Sequence, residues 1–277
     1  MGKAKKGLQK NKKTSSDRSK NPGKLKSALP KLKKAKSQAI KPQQQQHKII
    51  IPFESEHRVL LVGEGDFSFS RSLLEHHAIT HIYATCFDTR SGVLSKYPQA
   101  ATHLKVIEAQ DSSQVEYGVD ATKLGRAGGG GGGKEVRKGG WDRIVFNFPH
   151  VGGLTKDVNR QVRANQELLV AFFKSALALL SPNGQIVMTV FEGDPYELWN
   201  VRDLARHAGL KVNRSFRFEA SVYPGYKHAR TLGNIDGGGG WKGENRPART
   251  YLFESKDNEQ LNTPGKGRRG PDDSDSD

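Results

Sequence analysis

Val59-Leu60-Leu61-Val62-Gly63-Glu64-Gly65-Asp66-Phe67-Ser68-Phe69-Ser70 sets a short run of Val and Leu against an abrupt Gly-x-Gly, and a helical pattern then continues through Leu73 and Leu74. Strand, tight glycine turn and helix make the opening unit of a nucleotide- or cofactor-binding α/β sheet. Gly63 is placed to take positive φ for the turn, and Gly65 to let the backbone come close to a ligand. A dinucleotide fingerprint would carry a third glycine, and Phe69 or Ser70 stands there instead. The residues at the ends of the other strands therefore decide which ligand this turn holds.

Beyond this block, apolar runs with period 2 alternate with stretches of helical period. Strands are expected at 58–62, 82–87, 114–117, 143–148, 185–190, 211–218 and 250–254. Helices are expected at 67–77, 91–97, 100–109, 158–180 and 198–207, with Pro98, Ser181-Pro182-Asn183-Gly184 and Gly209 as stops. The run 143–148 is apolar on both faces, as a central parallel strand should be. The last two strands have no helix between them, which implies an antiparallel pair at one edge. The expected fold is thus α/β: a Rossmann-like, mostly parallel seven-stranded sheet of the methyltransferase type, spanning 49–256. Glycine-rich stretches near 125–140 and 236–243 read as flexible surface insertions.

Charge divides the chain differently. Of 277 residues with a net charge of +16, the first 48 carry sixteen Lys/Arg and one acid, Asp17. Such a segment buries too little apolar surface to offset its ordering entropy and reads as a disordered basic tail. Lys clusters such as 31–36 suit sequence-independent, salt-sensitive contact with RNA phosphates, or a nuclear and nucleolar address. Residues 257–277 read as a disordered acidic end. No apolar run approaches the ~20 residues of a membrane span, and the N-terminus lacks the apolar stretch of a signal peptide. Lys6 stands where a myristoylation signal needs Ser or Thr. The single cysteine, Cys86, excludes a disulfide framework and suggests a reducing, intracellular setting.

In an open α/β sheet, ligands bind at the carboxyl ends of the strands. Gly63, Gly65 and Asp66 follow the first strand. Asp88 follows the second, at the ~20-residue distance from the glycines expected of an acid that bonds ribose hydroxyls. Asp120 follows the third and suits an adenine amine. Each acid alone is as consistent with a turn or helix cap. Taken in order they fit the adenosine of S-adenosyl-L-methionine. After the fourth strand comes Asn147-Phe148-Pro149-His150, similar to the Asn-Pro-Pro-aromatic motif of methyltransferases acting on planar nitrogens, with Phe148 for the first proline and His150 for the aromatic. Asn147, Pro149 and His150 are the candidate catalytic residues, His150 or a water being the candidate proton acceptor. Methylation at C5 of a pyrimidine needs a cysteine nucleophile, but Cys86 lies inside a strand as a small core residue. Nitrogen or oxygen transfer is left. The histidines show no zinc-ligand spacing, and no metal is called for. Tyr223, Tyr226, Lys227 and Arg230 mix aromatics with cations, as base stacking and phosphate contact would need, and the stretch 241–246 extends that region. Equally, the two tyrosines suit packing on the sheet edge.

The block 60–70, Phe87-Asp88, Asn147-Phe148-Pro149-His150 and the Tyr223-Pro224-Gly225-Tyr226 region together resemble the large-subunit rRNA (uridine-N3) methyltransferase family of fungi and its relatives, over about 58–254. The resemblance implies adenosylmethionine as donor, ribosomal RNA or a pre-ribosome as substrate and a nucleolar location. An NAD-type oxidoreductase and a non-catalytic RNA-binding ribosome-assembly factor are the competing readings.

Overall fold

The computed structural model describes residues 49–153, 155–234 and 243–257. The basic segment 1–48, the second glycine run 237–240 and the acidic stretch 272–277 lie outside these residues. Seven strands form one sheet: β1 (Val59–Leu61), β2 (Ile82–Thr85), β3 (Gln114–Glu116), β4 (Trp141–Asn147), β5 (Leu180–Phe191), β6 (Leu210–Arg217) and β7 (Ala248–Ser255). Their order is β3-β2-β1-β4-β5-β7-β6. Neighbours among β1 to β5 pair in parallel, while β7 runs antiparallel to both β5 and β6. The chain winds outward from β1 in one direction and from β4 in the other. The crevice where the order reverses thus opens at the carboxyl ends of these two strands.

Period-2 alternation explains the layering. Leu60, Ile144, Phe146, Ile186 and Met188 face one way and meet the helix α5 (Val158–Leu177) through Leu169, Phe172 and Phe173. Val59, Leu61, Val145 and Val187 face the other way, toward α1 (Ser68–His77) and α3 (Ala100–Glu108), through Phe69, Leu73, Leu104 and Ile107. Both faces are apolar, so the central strands read as continuous hydrophobic runs. Three short helices complete the set: α2 (Arg90–Lys96), α4 (Lys134–Lys138) and α6 (Val201–His207).

Three expectations need correction. The helix foreseen from 198 divides into a 3₁₀ turn (Tyr196–Trp199) and α6, because Asn200 takes a left-handed conformation, φ 51°, between them. The Ser181–Gly184 turn does not precede its strand but bulges within β5, and pairing skips from Trp141↔Leu180 to Arg143↔Gln185. The first glycine run is a built structure rather than a flexible insertion. Asp120 N donates to Gly130 O at 2.7 Å and Gly125 N to Gly131 O at 2.8 Å, and α4 follows. A Cβ on Gly131 would stand 2.4 Å from Arg126 O and 2.5 Å from Lys123 O, so the backbone folds on itself where only glycine fits.

That packing separates two neighbouring glycines. Gly129→Ala should cost only about 1 kcal/mol, since the position has φ +60° but open space around it. Gly131→Ala should cost about 2–3 kcal/mol, because its clash is with backbone oxygens. Urea unfolding of the two variants checks this, and equal losses would mean the loop is as loose as its composition suggests.

Candidate active site at the strand tips

Gly63, just past β1, has φ +70°, and a Cβ there would lie 2.5 Å from Phe146 Cε2. Both its turn and its packing exclude a side chain. Gly65 lines the cavity, and it also makes room for Ala229, whose Cβ would be 2.8 Å from a Gly65 Cβ. Residues 219–234 therefore cover the turn. They are held by Lys227 N donating to Ser68 Oγ (3.2 Å), Asn234 Nδ2 to Gln99 Oε1 (2.9 Å) and Tyr97 OH to Arg230 O.

Beneath that cover and along the strand tips lies a cavity of about 460 Å³. It brings together Gly63, Gly65, Asp66, Asp88, Asp120, Asn147 and His150 from four separate strand ends. Asp66 is 4% exposed; it accepts from Ser68 N at 3.0 Å and Gln99 Nε2 at 3.2 Å, fixing the start of α1. Both oxygens of Asp88 take Lys96 Nζ at 2.8 Å. Asp120 caps a short turn through Thr122 N (2.9 Å) and Thr122 Oγ1 (2.7 Å), with Lys123 Nζ at 3.0 Å. Burial alone would raise its pKa, but those bonds to Thr122 and Lys123 outweigh burial and hold it below the usual value. The capping role and the place on the cavity wall thus coexist in one residue. Glu64 joins them, its carboxylate 2.8 Å from Ser70 Oγ. Burial pushes its pKa up to about 7, with Ser70 offsetting part of the rise.

Of the four carboxylates on this wall, Asp88 and Asp120 are in ion pairs with Lys96 and Lys123, while Lys227 also lines the cavity. Carboxylates aimed along the wall suit a ligand that brings hydroxyls, amines and positive charge. Adenosylmethionine has all three, a sulfonium and ammonium, two ribose hydroxyls and an adenine amine, and the wall fits it. Phe87, 72% exposed beside Asp88, offers a ring face at the mouth. The sequence marks it only as the residue before the acid.

At the opposite lip, β4 ends in Asn147. Its Nδ2 is buried without a partner in the protein. Phe148 follows with φ 51°, a conformation that phenylalanine adopts at a cost of about 1–3 kcal/mol. Its N–H bonds Thr189 O at 2.7 Å, and its ring packs on Phe191, Phe218 and His228. Pro149 is buried and shapes the turn without lining the cavity. His150 differs from its expected role as proton acceptor. Gly152 N donates to His150 Nδ1 at 2.8 Å, and burial lowers the ring's pKa, so the neutral ring carries its hydrogen on Nε2. It offers a donor to the site.

The aromatic and basic segment splits. Tyr223 is 4% exposed, stacked on Phe218 and packed on Phe69, so it is a core residue and has no face left to stack on a base. Tyr226 and Lys227 line the first cavity, and Arg230 lines a second, of about 300 Å³, behind Phe148. Cys86 is 1% exposed, its thiol pushed up to about 12 by burial and then by Asp88 and Glu64, which makes it inert as a nucleophile. Among the described residues, no helix is long and apolar enough to cross a membrane, and no group of three or more His, Cys, Asp or Glu is placed to hold a metal ion.

The strand order with antiparallel β7, and ligand-facing residues after each of the first four strands, define a Rossmann-like class I methyltransferase fold. Within that class, the chain belongs to the family described as rRNA (uridine-N3-)-methyltransferase BTM5-like, which it matches over residues 60–230. It is 28% identical to the 25S rRNA (uridine(2634)-N(3))-methyltransferase of Saccharomyces cerevisiae, over 82% of this chain and 80% of that one. It is 34% identical to heavy metal-associated isoprenylated plant protein 41 of Arabidopsis thaliana, over 64% of this chain but only 34% of that longer protein. Among solved structures, TrmN from Thermus thermophilus is similar at 18% identity and a TM-score of 0.41, over 72% of this chain and 44% of that one.

The raised pKa of Glu64 makes a signed prediction. Its contribution to stability is fully present below the ordinary value of 4.5 and is lost as pH rises through about 7. In the cofactor-free protein, Glu64→Gln should therefore gain Tm relative to wild type as pH goes from about 5 to about 8. A difference in Tm that stays constant across that range would show that the carboxylate ionises freely.

Proposed function

We propose that this chain methylates N3 of a uridine in large-subunit ribosomal RNA, using S-adenosylmethionine. Support comes from family membership, from the 25S rRNA methyltransferase among its relatives and, within the site, from one observation above all: the unpartnered, buried amide of Asn147 at the end of β4. A buried donor without a partner costs about 1–3 kcal/mol, so a partner brought by a ligand repays it. Gly63, Asp66, Asp88 and Asp120 would hold the cofactor, with Glu64 beside them.

N3 of uracil lies on the Watson–Crick edge between two carbonyls and is blocked in a duplex. The base must therefore enter unpaired or flipped. Asn147 Nδ2 and His150 Nε2–H are donors suited to those carbonyls. They orient the ring and stabilise the negative charge that N3, O2 and O4 share once the N3 proton has gone to water. When bound, adenosylmethionine would be held by Gly63, Asp66, Asp88 and Asp120 and would supply an electrophilic methyl on a sulfonium, with a neutral thioether as the leaving group. The protein's remaining contribution is alignment: the turn after β1 and the lip after β4 are fixed against each other by Gly63 and Phe146. The basic segment 1–48 adds salt-dependent attraction to RNA and, in this reading, a nucleolar address.

Nucleoside mass spectrometry of large-subunit rRNA from cells with and without the gene should show one 3-methyluridine lost. An unchanged profile, with Asp88→Ala and Asn147→Ala also silent, would favour a non-catalytic assembly factor. In vitro, Asn147→Ala should lower kcat by about 100-fold while leaving cofactor affinity within a few-fold, whereas Asp88→Ala should weaken the cofactor by at least about tenfold. Calorimetry and single-turnover methylation separate the two.

A further inference from the structure

The second cavity shares Phe148, His150, His228 and Thr231 with the first, so the two meet at the Asn147–His150 lip. Its volume, about 300 Å³, is at the small end of ligand pockets. The walls are flat rings: Phe148 lies 4.5 Å from Phe191, and Tyr196 lies 5.2 Å from Phe191 and 5.1 Å from Trp199. The Arg246 guanidinium sits 4.5 Å from the Phe191 ring centre and 5.3 Å from that of Tyr196. Trp199 is 2% exposed, and its indole N–H has no partner. It is the second unpartnered buried donor at this lip, with the His150 ring 6.0 Å from its own.

We propose that this cavity is the acceptor-base pocket and that it selects a uracil-type ring through Trp199. The inference rests on the methyltransferase reading above and assigns residues to the RNA side of the site. Flat aromatic walls with a stacked guanidinium suit a nucleobase face, and the arginine's remaining N–H groups suit the flanking phosphate. An indole N–H only donates, as do Asn147 Nδ2 and the hydrogen on His150 Nε2 at the shared lip, and each uracil carbonyl has two lone pairs to share among the three. Uracil presents two carbonyl acceptors on either side of N3. Cytosine replaces one of them with an amine, which would meet a donor and leave both unpaired in a buried site.

The test uses the full chain and rRNA from cells that lack the gene and were grown with 4-thiouridine. Irradiation of the cofactor-free complex should give cross-links mapping to Tyr196, Trp199 or Phe148. Trp199→Phe and Arg246→Ala should bind adenosylmethionine within about twofold of wild type by calorimetry. In methylation of the same rRNA, Trp199→Phe should lose at least about tenfold in kcat/KM, the worth of one buried hydrogen bond. Cross-links confined to other segments, or a Trp199→Phe protein that methylates like wild type, would overturn the pocket. So would loss of cofactor binding in both variants, which would make these residues structural supports. A wild-type protein that binds no adenosylmethionine would instead sink the methyltransferase reading itself.

Discussion

The edge of Phe146 stands where Gly63 would carry a side chain, its Cε2 2.5 Å from the vacant Cβ position. Everything at the ligand edge depends on that contact. It locks the turn after β1 against β4, the two strands between which the sheet reverses its winding. The residue after Phe146 is Asn147, so the turn after β1 and the lip after β4 are placed by one piece of packing. Phe146 is in turn held by Phe172 of α5, 4.9 Å away. The longest helix thereby sets the site's width without contributing chemistry.

Charge then divides the labour between the two cavities. The first is walled by Glu64, Asp66, Asp88 and Asp120, carboxylates that suit a ligand bringing hydroxyls, amines and positive charge. The second is walled by rings and arginines, which suit a flat base on an anionic backbone. His228 lies on their shared wall, its pKa pushed down to about 4 by burial and then by Arg246. At neutral pH it adds no charge to either side.

Much of this was legible in the sequence, for identifiable reasons. All seven strands follow period-2 or continuous apolar runs. The residues after β1 to β4 are named by strand ends alone, since a parallel sheet puts those ends on one edge. What the sequence concealed depends on contacts far apart in the chain. Nothing local marks Gly65 as making room for Ala229, or Gly131 as folding against Arg126 and Lys123. The sequence leaves Tyr223 open between base stacking and packing on the sheet edge, and the choice falls to packing because Phe218, just past β6, and Phe69 of α1 close over it. Trp199 lies in a stretch read as the beginning of a helix and Tyr196 just before it, whereas both belong to a 3₁₀ turn that ends at the left-handed Asn200 and lines the second cavity. His150 lines the crevice, and the Gly152 N–H that bonds its Nδ1 and leaves the hydrogen on Nε2 is a feature of three-dimensional backbone geometry that the sequence does not mark.

Two phenylalanines carry left-handed backbones beside the crevice: Phe67 at φ 63° before α1 and Phe148 at φ 51° after β4. Each conformation costs on the order of 1–3 kcal/mol for a non-glycine residue, and substitution by glycine would relieve it. The rings explain why it is nevertheless phenylalanine. Phe67 is fully buried in the core beneath α1 and α3, so its strain is offset by burial worth about 1.5–3 kcal/mol. Phe148 is only half-buried, and its ring is the partition between the two cavities, touching Phe191, Phe218 and His228. A glycine there would relax the backbone and merge the cavities. The strain at Phe148 therefore belongs to the crevice more than to the fold: it holds a wall between the carboxylate-lined cavity and the ring-lined one, with Asn147 at its edge.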